Sequence, residues 1–220
     1  KPSINFKLKI NSKVNLFVKK LLPSIFSSGV TQINILIGTI IASFESSAVS
    51  YLYYADRIYQ INLAIAGIAV GTVSLPVLAN AINKKNYSKI YKIQNNSIQL
   101  SLLLSVPASL GLIIASEQII NALFGYGSFS EKNILMTASA LKYFGYGIPA
   151  FALVKVLSNL FFARNNTKTP FYMSLLIVTL NVVISLSFFK QVGFIIIPIA
   201  TSISTWVGVI FYFILLKRLS

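Results

Sequence analysis

Six long stretches of apolar sequence, separated by short polar segments, constrain this chain more than any other feature. They lie near residues 21–44, 51–80, 93–116, 134–163, 170–189 and 194–216. A helix of about 20 apolar residues crosses the hydrocarbon of a bilayer, where every backbone polar group must be bonded internally. Only 10% of the residues are charged, whereas soluble domains carry about a quarter. The sequence therefore predicts an all-α fold, a polytopic transmembrane bundle of about six helices.

The chain divides into two parts by composition. Residues 1–20 mix lysine with apolar residues and predict a basic cytoplasmic arm, either an interfacial helix or a linker. Residues 21–220 hold the six apolar stretches. The second and fourth stretches are longer than a crossing needs, so we expect them to tilt, kink or emerge from the membrane. Candidate kink sites are Pro76, Pro107, Pro149 and Pro198.

The basic residues lie on one side of the predicted bundle. Of the 19 lysines and arginines, 14 fall in the arm, the second–third loop, the fourth–fifth loop and the C-terminus, whereas the opposite loops hold only Lys132 and Lys190. This asymmetry predicts that both ends of the segment are cytoplasmic. It also explains the net charge of +15 as a topological signal with attraction to anionic lipid headgroups. Nucleic acid is therefore not an expected partner.

The chain lacks the side chains of most enzyme sites. It contains no cysteine and no histidine, and its four carboxylates are Glu45, Asp56, Glu117 and Glu131. A zinc site, a Ser-His-Asp triad and a cysteine nucleophile are thereby excluded. We expect no enzyme activity, no cofactor and no metal.

Two charged residues interrupt the second apolar stretch, which begins SYLYYADRIYQ. A charge within the bilayer costs at least about 2.5–3.5 kcal/mol, so Asp56 and Arg57 indicate a function or a partner. Tyr53, Asp56 and Gln60 share one face at helical spacing, and Tyr53 and Arg57 are also four residues apart. This grouping predicts the wall of an aqueous cavity. The alternative is a buried ion pair with another helix.

A third charge, Lys155, lies in the middle of the fourth stretch, too far from either interface to reach the headgroups easily. Ser158 and Asn159 follow one turn later and could hydrogen-bond it. We favour a lysine that faces the cavity over a structural ion pair. One carboxylate and two cations favour an anionic substrate, because arginine offers phosphate a planar fork and lysine a point charge.

Two glycines follow the charged pair on the second stretch. Gly67 and Gly71 form a small-xxx-small pattern. Such patterns let two helix backbones approach closely. We therefore predict tight helix packing beyond the polar face.

Three segments of the sequence resemble segments of a known protein family. SYLYYADRIYQINLAIAGIAVGTVSLPVLA, GIPAFALVKVLSNLFFARNNTKTP and LLPSIFSSGVTQINILIGTIIASF resemble the MurJ/MviN lipid II flippases of bacteria, within the MOP exporter superfamily. FGYGSF is similar to a periplasmic loop of that family. The resemblance runs from about residue 20 to the C-terminus.

The resemblance implies one lobe of a larger transporter of the bacterial inner membrane. Family members have two six-helix lobes and two further helices, and this chain would be the second lobe, without the first. They move undecaprenyl-pyrophosphate-linked peptidoglycan precursor (lipid II) to the periplasmic leaflet by alternating access. By the resemblance, Asp56 and Arg57 line the central cavity, Ser50 and Gln60 lie close to it, and Lys155 is a recurrent lysine.

The sequence departs from the family pattern at two places. Asn62 stands where proline is common, and Ser158-Asn159 stand where Ala-Pro is common. Both changes affect local kinks. Two other hypotheses stay open: a cation-coupled multidrug or polysaccharide-lipid exporter of the same superfamily, and a membrane scaffold that does not transport. A drug exporter would need an acidic cavity, and a scaffold would not require charges at depth.

Overall fold

The structure is a computed structural model that describes residue 29 and residues 32–217, apart from the side chain of Ile68. The predicted arm over residues 1–20 and the start of the first apolar stretch lie outside the described residues. The helices are α1 (Gln32–Ala42), α2 (Ala48–Leu63), α3 (Val70–Asn83), α4 (Tyr87–Ile114), α5 (Ser116–Phe124), α6 (Glu131–Ala163), α7 (Lys168–Val192) and α8 (Ile196–Lys217). Within the described ranges there is no β-strand. The predicted all-α membrane bundle is confirmed.

Four helical runs in the described part of the chain are long and apolar enough to cross a membrane. They are Ala48–Asn83, Tyr87–Ile114, Glu131–Ala163 and Lys168–Lys217. The last run holds both α7 and α8, which a short 3-10 turn over Gly193–Ile195 separates. With α1, six helices occupy the six apolar stretches of the sequence.

Several helices extend beyond the apolar stretch that predicted them. α4 begins six residues before residue 93 because Asn86 caps it, its side chain accepting a hydrogen bond from the Lys89 amide at 3.0 Å. Ser130 caps α6 in the same way, accepting from the Asn133 amide at 3.4 Å. Side-chain caps satisfy the free amides of a first turn in polar sequence as readily as in apolar sequence. Hydropathy therefore locates the crossing but not the ends of the helix.

Two features of the backbone differ from the prediction. The third stretch ends at Ile114 instead of residue 116, and the nine-residue helix α5 follows it. Glu117 lies in the first turn of α5, where its negative charge interacts favourably with the helix dipole. Ile120 of the same helix is fully buried. In the second stretch, a π-helical segment over Ala64–Ala69 joins α2 and α3 into one continuous helix. Pro76, Pro107 and Pro149 lie inside helices, and Pro198 lies in the first turn of α8, where proline is tolerated.

α6 forms the centre of the bundle and contacts α2, α3, α4, α5 and α8. The close approach of the second helix to α6 depends on the two glycines. A methyl group added at Gly67 would lie 3.1 Å from Ala152 Cα, and one added at Gly71 would meet the Asn159 amide nitrogen. Neither position has room for a larger side chain unless a neighbour moves. The tight packing predicted from the small-xxx-small pattern is confirmed.

The loops of the bundle separate into two ends. At one end, Lys85, Arg164 and Lys217 line a common pocket. At the other, the Glu45 carboxylate accepts a hydrogen bond from the Phe194 amide at 2.7 Å. We call the end that holds Lys85, Arg164 and Lys217 the basic end of the bundle.

Candidate functional site

The polar face predicted on the second stretch lies on α2. Ala55, Ile58 and Tyr59 of this helix are buried, whereas Tyr53, Arg57 and Gln60 are exposed and Asp56 is partly exposed. Tyr53, near the start of α2, is 54% exposed. Ser50 is exposed one turn earlier. The amphipathic pattern of α2 therefore turns these five polar residues away from α6.

Two hydrogen bonds between residues four apart organise the face. Arg57 Nη2 donates to the Tyr53 hydroxyl at 2.8 Å, and Arg57 Cζ lies 4.6 Å from the centroid of the same ring. Gln60 Nε2 donates to Asp56 Oδ2 at short range. The helical spacing predicted both pairs. Each charged group is thus held by a neutral neighbour on its own helix.

The alternative of a buried ion pair between helices finds no support in residues 32–217. Arg57 bonds to Tyr53 and Asp56 to Gln60, and neither contacts a charged group on another helix of the described chain. The guanidinium has five N–H groups, of which one is used by Tyr53. Most of its donors therefore face outward from this lobe.

Aromatic side chains pack against α2 at two places, near its start and on its buried side. Asp56 lies eight residues after Ala48, which is about 12 Å along a helix axis. Nearer the start of α2, the Tyr54 ring packs 4.9 Å from Phe124 and 5.5 Å from Phe129. Behind the charged face, the buried Tyr59 ring stacks 5.2 Å from Phe144. These contacts fix the orientation of α2 and with it the direction of the polar face.

Lys155 does not join this cluster. It is exposed on α6, and its Cβ lies 3.5 Å from a methyl group added at Gly67. Gly67 is eleven residues beyond Asp56, or about 16 Å along the helix. Lys155 thus lies beside the same continuous helix but roughly three turns deeper. That both cations line one cavity stays a prediction.

The polar neighbours expected for Lys155 are engaged elsewhere. The Ser158 hydroxyl hydrogen-bonds the Tyr212 hydroxyl of α8 at 2.8 Å. Asn159 lies against Gly71. Ser158 is therefore bonded to α8, and a hydrogen bond from Lys155 to Asn159 stays a prediction.

Arg164 has a role in the structure that the sequence analysis did not assign. Its Nη1 donates to the Leu160 carbonyl at 2.8 Å, and its side chain points into a pocket at the basic end of the bundle. The nearest signal in the sequence was its place in the segment ARNNTKTP. No group of three or more His, Cys, Asp or Glu residues in the described part of the chain could hold a metal ion.

The α2 face presents a guanidinium with unused N–H donors beside a carboxylate that accepts from Gln60. This Asp-Arg pair lies on an apolar helix long enough to cross a membrane, and the fold defines a helical membrane protein. Two solved structures share the fold. A lipid II flippase MurJ in the inward closed conformation has a TM-score of 0.82 at 28% identity, covering 96% of this chain and 46% of that one. An outward-facing MATE family multidrug resistance transporter of the MOP superfamily has a TM-score of 0.78 at 20% identity, covering 91% and 45%.

The family model for the lipid II flippase MurJ matches residues 3–220, and the chain belongs to this family. A relative from Rhizobium meliloti (strain 1021) named for this flippase is 41% identical over 192 residues, covering 87% of this chain and 36% of the relative. One from Rickettsia prowazekii (strain Madrid E) is 40% identical over 193 residues, covering 86% and 38%. The chain spans less than half the length of the curated relatives it matches.

Proposed function

We propose that this chain is the second lobe of a lipid II flippase of the bacterial inner membrane, acting together with a first six-helix lobe. The flippase moves undecaprenyl-pyrophosphate-linked peptidoglycan precursor from the cytoplasmic to the periplasmic leaflet by alternating access. The exposed Asp56–Arg57 face, in a chain of this family, is the observation that carries the proposal. No covalent step is involved in this transport.

In this proposal, Arg57 binds the pyrophosphate. A guanidinium matches two phosphate oxygens with parallel N–H groups, and charge-assisted bonds of this kind are about twice as strong as neutral ones. Tyr53 uses one N–H and stacks on the guanidinium, which fixes the fork in space. Asp56, held by Gln60, sets the position of the neighbouring charge or closes the cavity. Ser50 extends the same polar face by one turn.

Lys155 provides a second cationic position deeper in the helix bundle. Because it lies roughly three turns from Asp56, one phosphate group cannot contact both cations in a single pose. A pyrophosphate that crosses from the cytoplasmic to the periplasmic leaflet would meet Lys155 first and Arg57 afterwards as the lobes rock. The polyprenyl tail stays in the lipid throughout, which avoids the cost of extracting it.

The charge balance also distinguishes this proposal from a multidrug exporter. The MATE fold is shared, but this lobe carries two exposed cations, Arg57 on α2 and Lys155 on α6, against one partly exposed carboxylate, Asp56. Cationic drugs would be repelled by such a surface, whereas an anionic amphiphile is attracted. We also propose that the basic end of the bundle is cytoplasmic, since positively charged loops are retained on that side.

The proposal is tested by complementation in cells depleted of their own flippase. The full-length protein that contains this chain is expressed as wild type and as the single variants Arg57→Ala, Asp56→Ala and Lys155→Ala. We expect wild type to restore growth and Arg57→Ala to fail at equal protein levels. Lys142→Ala is the matched control, because it removes an exposed lysine from α6, the helix that carries Lys155.

Two outcomes would overturn the proposal. Growth like wild type in all three variants would show that the polar face is not the substrate site. Failure of the wild type to complement, together with resistance to cationic drugs, would instead favour the multidrug exporter. Arg57→Lys refines the test, because a lysine keeps the charge and loses the bidentate fork.

A further inference from the structure

A pocket at the basic end of the bundle takes no part in the transport site proposed above. It has a volume of about 510 Å³ and lies where the end of α3, the start of α4, the end of α6 and the end of α8 meet. Lys85, Arg164 and Lys217 contribute three cationic side chains to it. None of its lining residues is a carboxylate, because Glu45, Asp56, Glu117 and Glu131 all lie outside it.

Arg164 is held in this pocket by two helices. It donates to the Leu160 carbonyl at 2.8 Å. With the Gln94 amide oxygen turned toward it, the orientation that satisfies both groups, Nη1 and Nη2 donate to that oxygen at 3.2 and 2.6 Å. Gln94 is only 6% exposed, so the guanidinium is anchored to the interior of the bundle.

The Arg164 guanidinium keeps N–H groups that can donate further hydrogen bonds. Its Nε–H and one N–H of Nη2 bond to nothing among residues 32–217. Burial lowers the pKa of Arg164 from its usual value, yet arginine stays charged at any physiological pH. A partly buried guanidinium with free N–H groups can form charge-assisted hydrogen bonds to a phosphate.

Lys85 adds a second cation from a constrained position in the backbone. Its φ of 51° is left-handed, a conformation that favours glycine or asparagine after a helix. Its amide donates to the Ile82 carbonyl at 2.9 Å and closes the turn between α3 and α4. This backbone conformation does not favour lysine. We therefore attribute the lysine at this position to its side chain, which lines the pocket.

The remaining walls suit the headgroup region of a bilayer. Tyr87 and Tyr91 line the pocket beside the cations, and tyrosine is typical of the membrane interface. Ile82, Phe213 and Leu216 supply apolar surface. The pocket thus offers a phosphate site next to a hydrocarbon site, at the ends of helices that cross the membrane.

We propose that this pocket binds the phosphate of an anionic phospholipid headgroup from the leaflet at the basic end of the bundle. Arg164 and Lys85 hold the phosphate oxygens, the tyrosines cover the glycerol region, and the apolar wall contacts the start of an acyl chain. Such a lipid joins the ends of α3, α6 and α8. The site does not depend on the transport activity proposed for the α2 face.

Lipid retention by the full-length protein tests this site. Native mass spectrometry counts phosphatidylglycerol and phosphatidylcholine bound to wild type, to Lys85→Gln/Arg164→Gln and to the control Lys84→Gln/Lys168→Gln. The control removes the same charge from the same two loops, at residues that do not line the pocket. We expect the pocket variant to lose phosphatidylglycerol affinity by about five- to thirtyfold, as one or two interfacial charges would contribute, and the control to lose little.

Three results would overturn the proposal. They are equal losses in pocket and control variants, no preference for phosphatidylglycerol over phosphatidylcholine, and binding of inorganic phosphate without retention of the lipid. If the double variant does not fold, Lys85→Gln is compared with Lys84→Gln, since both lie in an exposed turn. A loss of about fivefold confined to Lys85→Gln supports the site, and no difference between the two refutes it.

Discussion

Arg57 contacts Tyr53 in two ways at once: its Nη2 donates to the tyrosine hydroxyl at 2.8 Å, and its guanidinium carbon lies 4.6 Å from the ring centroid. Tyr53→Phe would remove the hydrogen bond and keep the ring. Tyr53→Leu would remove both contacts. If Tyr53 orients the guanidinium, the Phe variant should slow lipid II translocation by about two- to tenfold, the worth of one hydrogen bond, and the Leu variant should slow it further.

The control for this prediction is the neighbouring tyrosine. Tyr54 packs on Phe124 and Phe129 through its ring, so Tyr54→Phe should translocate like wild type. Rates are measured with fluorescent lipid II in proteoliposomes that contain the full-length protein. Equal rates for Tyr53→Phe, Tyr53→Leu and wild type would show that the contact does not position Arg57 for transport.

The glycines that bring the second helix onto α6 predict a graded effect on stability. Gly67→Ala places a methyl group 3.1 Å from the Ala152 Cα, a backbone atom that cannot rotate away, and we expect a loss of about 1–3 kcal/mol. Gly71→Ala meets the Asn159 side-chain amide, which can turn, so its effect should be smaller. Gly111→Ala in α4 meets nothing within 4 Å and should be neutral or stabilising by up to about 1 kcal/mol.

Thermal unfolding of the three purified variants checks this order. The midpoint should fall most for Gly67→Ala, less for Gly71→Ala, and stay constant or rise for Gly111→Ala. A Gly111→Ala variant as unstable as Gly67→Ala would mean that the close approach to α6 does not determine the loss of stability.

Hydropathy was sufficient to predict six helices and their order, because the need to shield backbone groups from lipid dominates the sequence. It missed α5, since nine residues over Ser116–Phe124 are too few to cross a membrane and carry a weaker apolar signal. It could not find the π-helical segment, because the letters AIAGIA of Ala64–Ala69 suit an α-helix equally well. Such details depend on packing between helices, which helical periodicity does not report.

Glu45, a carboxylate far from the polar face, connects the end of α1 to the α7–α8 turn. Glu45 Oε2 accepts from the Phe194 amide at 2.7 Å, and Gly193 with φ 72° lies directly over it. Glu45→Ala should leave that amide without its partner and destabilise the turn by about 1–3 kcal/mol. Glu45→Gln keeps an acceptor and should lose less.

Hydrogen exchange at the Phe194 amide is the direct measurement for Glu45. Exchange should accelerate strongly in Glu45→Ala and weakly in Glu45→Gln. Glu117→Ala is the control, because Glu117 is an exposed carboxylate in the first turn of α5. An unchanged exchange rate in Glu45→Ala would mean that the bond contributes nothing to the stability of the turn.

The sequence was a better guide to contacts within one helix than to contacts between helices. The four-residue spacing predicted both the Arg57–Tyr53 and Gln60–Asp56 pairs, since helical geometry alone determines them. The distance from Asp56 to Lys155 depends on how α2 and α6 cross, which no periodicity encodes. The Arg164 pocket combines segments far apart in the chain, and its cations had already been explained by topology.

A polar contact between α7 and α8 involves Asn181, which is only 4% exposed. Its Nδ2 donates to the Thr201 hydroxyl at 2.7 Å, and its Oδ1 accepts from the Ser185 hydroxyl at 3.3 Å. The Thr201 hydroxyl also donates to the Ile197 carbonyl at 2.7 Å. Thr201 therefore keeps a partner when Asn181 is removed, which limits the expected loss.

A double-mutant cycle of Asn181→Ala and Thr201→Val isolates this contact. We expect a coupling energy of about 0.6 kcal/mol and no more than about 1.7 kcal/mol, because polar contacts between membrane helices are weaker than their burial suggests. Asn181→Ala should cost more than Thr201→Val alone, since it also removes the acceptor of Ser185. Unfolding in mixed micelles provides the four free energies. A coupling near zero would show that α7 and α8 are held together by packing alone.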